Sequence, residues 1–197
     1  MRDARGGAPI QDGFRIVQGN PPFDNYFGTF PGVNGLSSGL SVPVDPARKS
    51  SPVAVPYHLP VLRTQDLDHS VITAKVAFNA GRMDGFVAAQ QARNLPGSLA
   101  LGYYDGTDLP YYWDLAQNYV LADRFFSSAM GGSLANHQFL VAGKSSGTGE
   151  SIPPEGIQMT KIFDRLQAAG ISWKCYVKKY DPTLNLRHTD PKNPRAS

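Results

Sequence analysis

The first candidate for chemistry is a serine between a glycine pair and an apolar stretch, in "MGGSLANHQFLVAG" at residues 130–143. The glycines predict a turn, and the residues after them predict a helix that begins at Ser133 and is closed by Gly143. A hydroxyl there lies beside unpaired backbone N–H groups and the positive end of the helix dipole, which together favour an anion. Such a serine can attack phosphorus while the same N–H groups hold the phosphoryl oxygens. The spacing alone favours the simpler interpretation, in which Ser133 only caps the helix.

Three other polar residues are candidate partners of Ser133: Asn20, His69 in "DLDHS" and His137 in "ANHQF". By pattern alone, each is better explained as a surface or structural residue. The four histidines, at positions 58, 69, 137 and 188, do not follow a metal-binding spacing such as HxxxH. The single cysteine, Cys175, excludes an intrachain disulfide and a cysteine-based metal site. Residue types and spacing therefore indicate one candidate anion site.

The overall composition is that of a packed globular protein. Of the 197 residues, 41% are hydrophobic and 11% aromatic, enough for one domain with a sizeable core or for part of a larger one. The net charge is only +3 and the basic residues are scattered, which argues against nucleic-acid binding. No apolar run approaches the roughly 20 residues of a membrane span. The N-terminal segment lacks the apolar core of a signal peptide.

Four further segments are candidates for helices. The segment "DLDHSVITAKVAFNAG" has an ambiguous spacing but offers Asp68 or Ser70 as an N-cap, and "MDGFVAAQQAR" predicts a short helix. The segment "DLPYYWDLAQNYV" has Asp108 at the cap position and a proline in its first turn. The clearest helix is "TKIFDRLQAAG", with Thr160 as N-cap and Gly170 just beyond its end.

Three segments predict strands: "FRIVQ" at residues 14–18, "VLADRFFSSAM" at 120–130 and "ISWKCYV" at 171–177. The last of these follows a helix and a glycine directly. That order over a short distance is typical of an α/β fold with a largely parallel sheet flanked by helices. The stretch "NPPFDNYFGTFPGVNG" at residues 20–35 is too rigid for a linker and too interrupted for a helix or strand.

The motifs resemble successive blocks of the bacterial phosphoesterase family. The resemblance rests on "FDNYFGTFPGVNG", "DLDHS", "RMDGFV", "LGYYDGTDLPYYWDLAQNYVLADRFFSSAMGGSLANHQFLVAG" and "IFDRLQAAGISWKCYV", which occur in the family's order from about residue 16 onward. The family comprises phosphatidylcholine-type phospholipases C and related acid phosphatases. The resemblance implies the alkaline-phosphatase-like superfold and a hydrolase that acts on a phospholipid headgroup ester or a phosphomonoester.

The resemblance also implies roles for particular residues. The family's Glu-Asn-Arg-Ser-Phe-Asp motif, which contributes to a divalent metal site, corresponds here to "GNPPFD", so Asn20 matches a ligand but Gly19 replaces the glutamate. Ser133 corresponds to the nucleophile, although Gly132 replaces the proline of the family's turn. His69 corresponds to a histidine that contacts the phosphoryl group. The metal would activate Ser133, and a phosphoseryl intermediate would form and be hydrolysed.

The rigid stretch at residues 20–35 resembles the wall below that metal site, with Phe23, Tyr26 and Phe27 as its anchors in the core. Members of the family are commonly exported to the periplasm or secreted, whereas no signal peptide is visible here. The resemblance does not identify the metal.

An alternative interpretation is a truncated remnant without turnover. The family continues beyond the length of this chain, and its later part supplies an Asp-Asp pair and further histidines without a counterpart here. Residues 1–15 look irregular from their own sequence, and the resemblance implies that residues 16–197 are the N-terminal part of a phosphoesterase domain, which predicts an incomplete sheet. A third interpretation, an unrelated small-ligand binding module, has no positive support.

Overall fold

The computed structural model describes residues 12–17, 19, 21–147, 152–153 and 156–176. The chain divides into two compact units. The first unit consists of Met1–Leu36 and Tyr103–Asp123, and the second consists of Ser37–Gly102 and Arg124–Ser197. Each unit is thus assembled from two separate stretches of sequence.

Short helices dominate the described residues, and every strand among them has two residues. The helices are α1 (Phe23–Phe27), α2 (Val71–Phe78), α3 (Phe86–Gln91), α4 (Pro110–Asn118), α5 (Ser133–Ala142) and α6 (Ile162–Ala168), with 3-10 turns at Asn79–Gly81 and Gly97–Leu101. The strands are β1 (Val42–Pro43), β2 (Val53–Ala54), β3 (Tyr57–His58) and β4 (Gly102–Tyr103). Strands β1 and β2 pair antiparallel, with Val42 opposite Ala54 and Pro43 opposite Val53.

Aromatic side chains hold the first unit together around α1. The indole N–H of Trp113 on α4 donates to the Tyr26 carbonyl oxygen over 3.0 Å. The ring centroids of Phe30 and Trp113 lie 4.9 Å apart, and those of Tyr26 and Tyr112 lie 5.6 Å apart. These are separations at which tilted and edge-to-face rings attract one another. The expectation that residues 20–35 contain no helix is wrong, because α1 lies within them and these aromatic contacts outweigh the weak helix propensity of the stretch.

Helices α2 and α3 form the core of the second unit. Val87 and Ala89 on α3 are each only 2% exposed, and α3 packs against both α2 and the 3-10 turn at Gly97–Leu101. A side chain at Gly97 would approach the Val87 carbonyl oxygen to 2.6 Å, so glycine permits this close contact. The arrangement fixes the N-terminal end of α2, where His69 lies.

The predicted helices are confirmed, the segment of ambiguous spacing forms α2, and three of the predicted N-caps are displaced by one residue. Ser70 caps α2 and accepts a hydrogen bond from the Thr73 N–H, Pro110 opens α4, and Gly143 closes α5 in the left-handed conformation. The predicted caps Asp108 and Thr160 are wrong, since the caps of α4 and α6 are the next residues along the chain. At α6, the Lys161 N–H donates to the Asp164 carboxylate at 2.7 Å, which satisfies the end of the helix without Thr160.

The three predicted strands are wrong for the residues that the structure describes. Neither residues 14–17, nor 120–130, nor 171–176 form a strand. In the second segment, Phe125 and Phe126 remain 87% and 78% exposed. A strand gains its hydrogen bonds only from a neighbouring strand, and among the described residues these segments have none beside them.

The protein is therefore of mixed α/β class with small sheets. The predicted parallel sheet is not formed among the described residues, where β1 and β2 run antiparallel. No helix in this part of the chain has the length and apolar character needed to cross a membrane.

Candidate functional site

His69 lies on the loop that enters α2, one residue before the cap Ser70. Its ring nitrogen Nδ1 is 2.9 Å from the Leu67 carbonyl oxygen. Because a carbonyl oxygen can only accept a hydrogen bond, this contact places a proton on Nδ1. The other ring nitrogen, Nε2, is then the one that can exchange a proton with a ligand. His69 itself is exposed.

The neighbouring Asp68 anchors this loop. Its Oδ1 accepts hydrogen bonds from the Ser70 N–H at 3.1 Å and the Ser70 hydroxyl at 2.7 Å, and also from the Thr73 hydroxyl. The Arg93 Nε lies 3.9 Å from the same oxygen. The Thr73 and Ser70 hydroxyls, with a smaller contribution from Arg93, lower the pKa of Asp68 from 3.8 to about 2. Asp68 is therefore a fixed negative charge at the start of α2.

Ser133 is the first residue of α5 and follows two glycines in the left-handed region. Gly131 has φ of +68° and Gly132 has φ of +75°, a conformation that residues with a Cβ adopt at a cost. The N-cap of α5 is Gly132, without a side-chain hydrogen bond, so the interpretation of Ser133 as a cap is wrong. The hydroxyl is exposed, and the N–H groups of the first helical turn have no partners within the helix.

Asn136 holds the turn before Ser133 in place. Its Oδ1 accepts from the Ala129 N–H at 3.0 Å. Its Nδ2 donates to the carbonyl oxygens of Ala129 at 3.1 Å, Gly131 at 3.4 Å and Gly132 at 3.0 Å. One half-buried side chain on α5 thus binds the backbone on the N-terminal side of Ser133. Asn136 had no predicted role, although an asparagine three residues after Ser133 is a signal for contacts back to the preceding turn.

The Ser133 turn packs directly on the N-terminal end of α2. A side chain at Gly131 would lie 2.7 Å from the Ala74 Cβ and 3.0 Å from the Val71 Cα, so only glycine fits without displacement. The Gly132 N–H donates to the His69 carbonyl oxygen over 3.4 Å. These contacts join the two loops that carry His69 and Ser133.

His69 and Ser133 line one open cavity of about 490 Å³. Its lining consists of residues 66–70, Leu95, Ser133 and Leu134. The structure thus brings together two of the predicted site residues. His137 is exposed and is not part of this lining, and Asn20 lies outside the described residues.

The lining by itself does not fit a divalent cation. Its carboxylates are Asp66 and Asp68, and an oxygen of Asp68 is already bound to Ser70 and Thr73. Mg²⁺ usually takes six oxygen ligands and Ca²⁺ takes 6–8. Among the described residues, no group of three His, Cys, Asp or Glu ligand atoms converges on this cavity.

Comparison with known proteins identifies the family of the chain. The sequence profile of the Phosphoesterase family matches residues 11–194. The chain belongs to the phosphoesterase family. The resemblance indicated by the sequence motifs is thereby confirmed, and it extends over nearly all of the chain.

Curated relatives of this phosphoesterase include phospholipases C. The non-hemolytic phospholipase C of Pseudomonas aeruginosa is 30% identical over 185 residues, which cover 82% of this chain and 26% of that protein. Phospholipase C B of Mycobacterium tuberculosis is 29% identical over 204 residues, which cover 86% of this chain and 38% of that protein. The non-specific phospholipase C5 of Arabidopsis thaliana is 31% identical over 111 residues, or 54% of this chain and 21% of the relative. The chain thus spans between 21% and 38% of the length of these relatives.

Proposed function

We propose that this phosphoesterase binds a phosphoric ester in the cavity between His69 and Ser133 and hydrolyses it with Ser133 as the nucleophile. The observation that supports the proposal is that these two residues, far apart in the sequence, line the same cavity. Family membership supplies the reaction class, and the phospholipase C relatives favour a phospholipid headgroup ester over a phosphomonoester.

In the proposed complex, phosphoryl oxygens accept hydrogen bonds from the N–H groups of the first turn of α5. These donors and the helix dipole stabilise negative charge where it develops in the transition state. In the protonated His69 ring, Nδ1–H remains on the Leu67 carbonyl oxygen and Nε2–H donates to a phosphoryl oxygen. The Leu67 carbonyl group belongs to the loop that the Gly132–His69 hydrogen bond joins to the Ser133 turn.

Ser133 carries the covalent step of the proposed reaction. Its Oγ forms a bond to phosphorus, the bond from phosphorus to the leaving alcohol oxygen breaks, and the serine proton is passed to that alcohol or to solvent. Water then attacks the phosphoseryl group, which releases phosphate or a phosphomonoester and restores the serine hydroxyl. A divalent cation, if bound, would lower the pKa of the nucleophile; Asn20 remains its predicted ligand from the sequence.

A second candidate function is phosphate-ester binding without turnover. It is favoured by Gly19, which stands where the family resemblance expects a metal-binding glutamate. Without a cation, a serine hydroxyl at neutral pH is a weak nucleophile. The cavity and the first turn of α5 would still bind the phosphoryl group.

The two candidates are separated by hydrolysis of p-nitrophenyl phosphate and p-nitrophenyl phosphorylcholine, with and without added divalent ions. For the enzyme, we expect turnover that falls at least about 10³-fold in Ser133→Ala and is retained in Ser98→Ala. Ser98 is a matched control, since it is also an exposed serine near the start of a helical turn. Equal rates in Ser133→Ala and the unmodified chain would overturn Ser133 as the nucleophile. Phosphate binding without turnover under any condition would establish the second candidate instead.

A further inference from the structure

Gln90 on α3 directs both polar atoms of its side chain to one residue of the His69 loop. Its Oε1 accepts from the Asp68 N–H at 3.0 Å, and its Nε2 donates to the Asp68 carbonyl oxygen at 2.8 Å. The residue is only 7% exposed. A carboxamide buried in this way is retained in the core only because both of its polar ends are paired.

This pairing fixes two peptide planes. One of them determines which ring nitrogen of His69 carries the proton. The Asp68 N–H belongs to the same planar peptide unit as the Leu67 carbonyl group. That carbonyl oxygen is the acceptor for His69 Nδ1. The Asp68 carbonyl group shares the other peptide unit with the His69 N–H. Gln90 therefore controls the direction of the carbonyl that holds the His69 ring, without touching the ring.

We propose that Gln90 is a positioning residue for His69. It fixes the Leu67–Asp68 peptide so that Nδ1 keeps its proton on the Leu67 carbonyl oxygen in the neutral ring, and the proton that the ring gains on Nε2 is then directed to the phosphoryl group. The part of this statement that concerns phosphate rests on the proposed function. The part that concerns the protonated ring nitrogen does not.

Only glutamine satisfies the geometry at this position. Asparagine is one methylene shorter and does not reach both backbone groups from the same site on α3. Glutamate keeps the acceptor for the Asp68 N–H but replaces the donor with an oxygen that faces the Asp68 carbonyl oxygen. Methionine has the same length and packs in a core, but it neither donates nor accepts comparably. These differences supply a graded set of variants.

The test measures the ¹⁵N shifts of the His69 ring in the full chain, at a pH where the ring is neutral, with His69→Ala to assign the signal. We expect a ring protonated at Nδ1 in the unmodified chain and a mixture of tautomers in Gln90→Met. Gln138→Met is the matched control, because Gln138 is also 7% exposed and its Oε1 accepts from the Ser146 N–H at 2.7 Å. It should leave His69 unchanged. An unchanged His69 ring in a folded Gln90→Met overturns the positioning role.

A second variant and a phosphate titration complete the test of Gln90. Should Gln90→Met fail to fold, Gln90→Glu is judged by the same ring shifts, with a partial loss of Nδ1 protonation expected. Inorganic phosphate, added at a pH where the His69 ring is protonated, should shift the His69 signals of the unmodified chain. It should bind about fivefold more weakly to Gln90→Met, because a ring that is no longer oriented by the Leu67 carbonyl group loses about one hydrogen bond's stabilisation. If phosphate does not change the ¹⁵N shifts of the His69 ring in the unmodified chain, the proposed function is overturned. The tautomer comparison alone still decides the role of Gln90.

Discussion

The backbone N–H of Gly132 donates to the carbonyl oxygen of His69, and this contact ties the turn that carries the candidate nucleophile to the loop that carries the candidate histidine. It forms because Gly131, one residue earlier, lies against α2 without a side chain. The absence of a Cβ at this position is thus a condition for the cavity as well as for the turn.

Substitution Gly131→Ala should separate the two loops. The new methyl group would meet the Ala74 Cβ at 2.7 Å in addition to adopting a positive φ. We expect the free energy of unfolding to fall by about 2–5 kcal/mol, the sum of left-handed strain and overpacking. Urea denaturation measures this loss, and phosphate binding should weaken in parallel.

Gly143→Ala is the matched control for that substitution. Gly143 has nearly the same φ, +69°, but a side chain there meets nothing within 4 Å. It should therefore cost only the left-handed strain, about 1–2 kcal/mol. Equal losses in the two variants would show that the contact of Gly131 with α2 does not contribute.

Substitution Asn136→Ala should loosen the turn before Ser133. It removes hydrogen bonds to Ala129, Gly131 and Gly132 from a half-buried side chain, for an expected loss of about 1–3 kcal/mol in urea denaturation. Asn118→Ala is the control, because the exposed Asn118 donates to Asp114 within its own helix, and it should change stability by less than about 0.5 kcal/mol. If Asn136→Ala loses as little stability as the control, then Asn136 does not hold the turn before Ser133 in place.

The helices were predictable from the sequence because their ends carry local signals. Ser70, Pro110 and Gly143 mark helix ends through their own side chains or conformations, and each lies where its signal predicts. The Gly131–Gly132 pair likewise predicted the turn before Ser133. Local chemistry of this kind acts over a few residues and can be read without the fold.

The strands were not predictable in the same way. A segment such as residues 120–130 has the composition of a strand, but its state depends on a partner strand elsewhere in the chain. The contacts of Gln90 with Asp68 and of Gly131 with Ala74 also join residues that are distant in sequence. Such pairs leave no local pattern. The spacing therefore offered Ser133 as a candidate anion site and His69 as a candidate partner, and only the family resemblance assigned them roles in catalysis.

Substitution Asp66→Asn should strengthen phosphate binding in the absence of a divalent cation. Asp66 is an exposed carboxylate in the lining of the cavity, and its negative charge repels an anion there. Removing an exposed charge is worth about 0.5–1 kcal/mol, or about two- to fivefold in the dissociation constant. Phosphate titration at low salt measures the change, and added salt should reduce it.

Asp114→Asn is the control for Asp66, because Asp114 is exposed but does not line the cavity. It should leave phosphate affinity unchanged. If Asp66→Asn behaves like Asp114→Asn, then phosphate does not bind in this cavity.

The last prediction concerns Asp68, whose pKa is lowered from 3.8 to about 2 by the hydroxyls of Thr73 and Ser70. The folded state therefore binds its proton less readily than the unfolded state. The stabilisation from the ionised carboxylate is complete above pH 3.8 and is lost as the pH falls through about 2. Asp68→Asn keeps an oxygen acceptor but removes the charge, so the variant should be less stable at pH 6, and the difference should shrink as the pH falls from about 4 to 2.

Urea denaturation of both proteins at a series of pH values measures that difference in stability. The contributions of the other carboxylates cancel, because both proteins contain them. Asp12→Asn, at an exposed position, serves as the control with which the trend of Asp68→Asn is compared. A difference between Asp68→Asn and the unmodified chain that stays constant down to pH 2 would show that the Thr73 and Ser70 hydroxyls do not stabilise the ionised carboxylate.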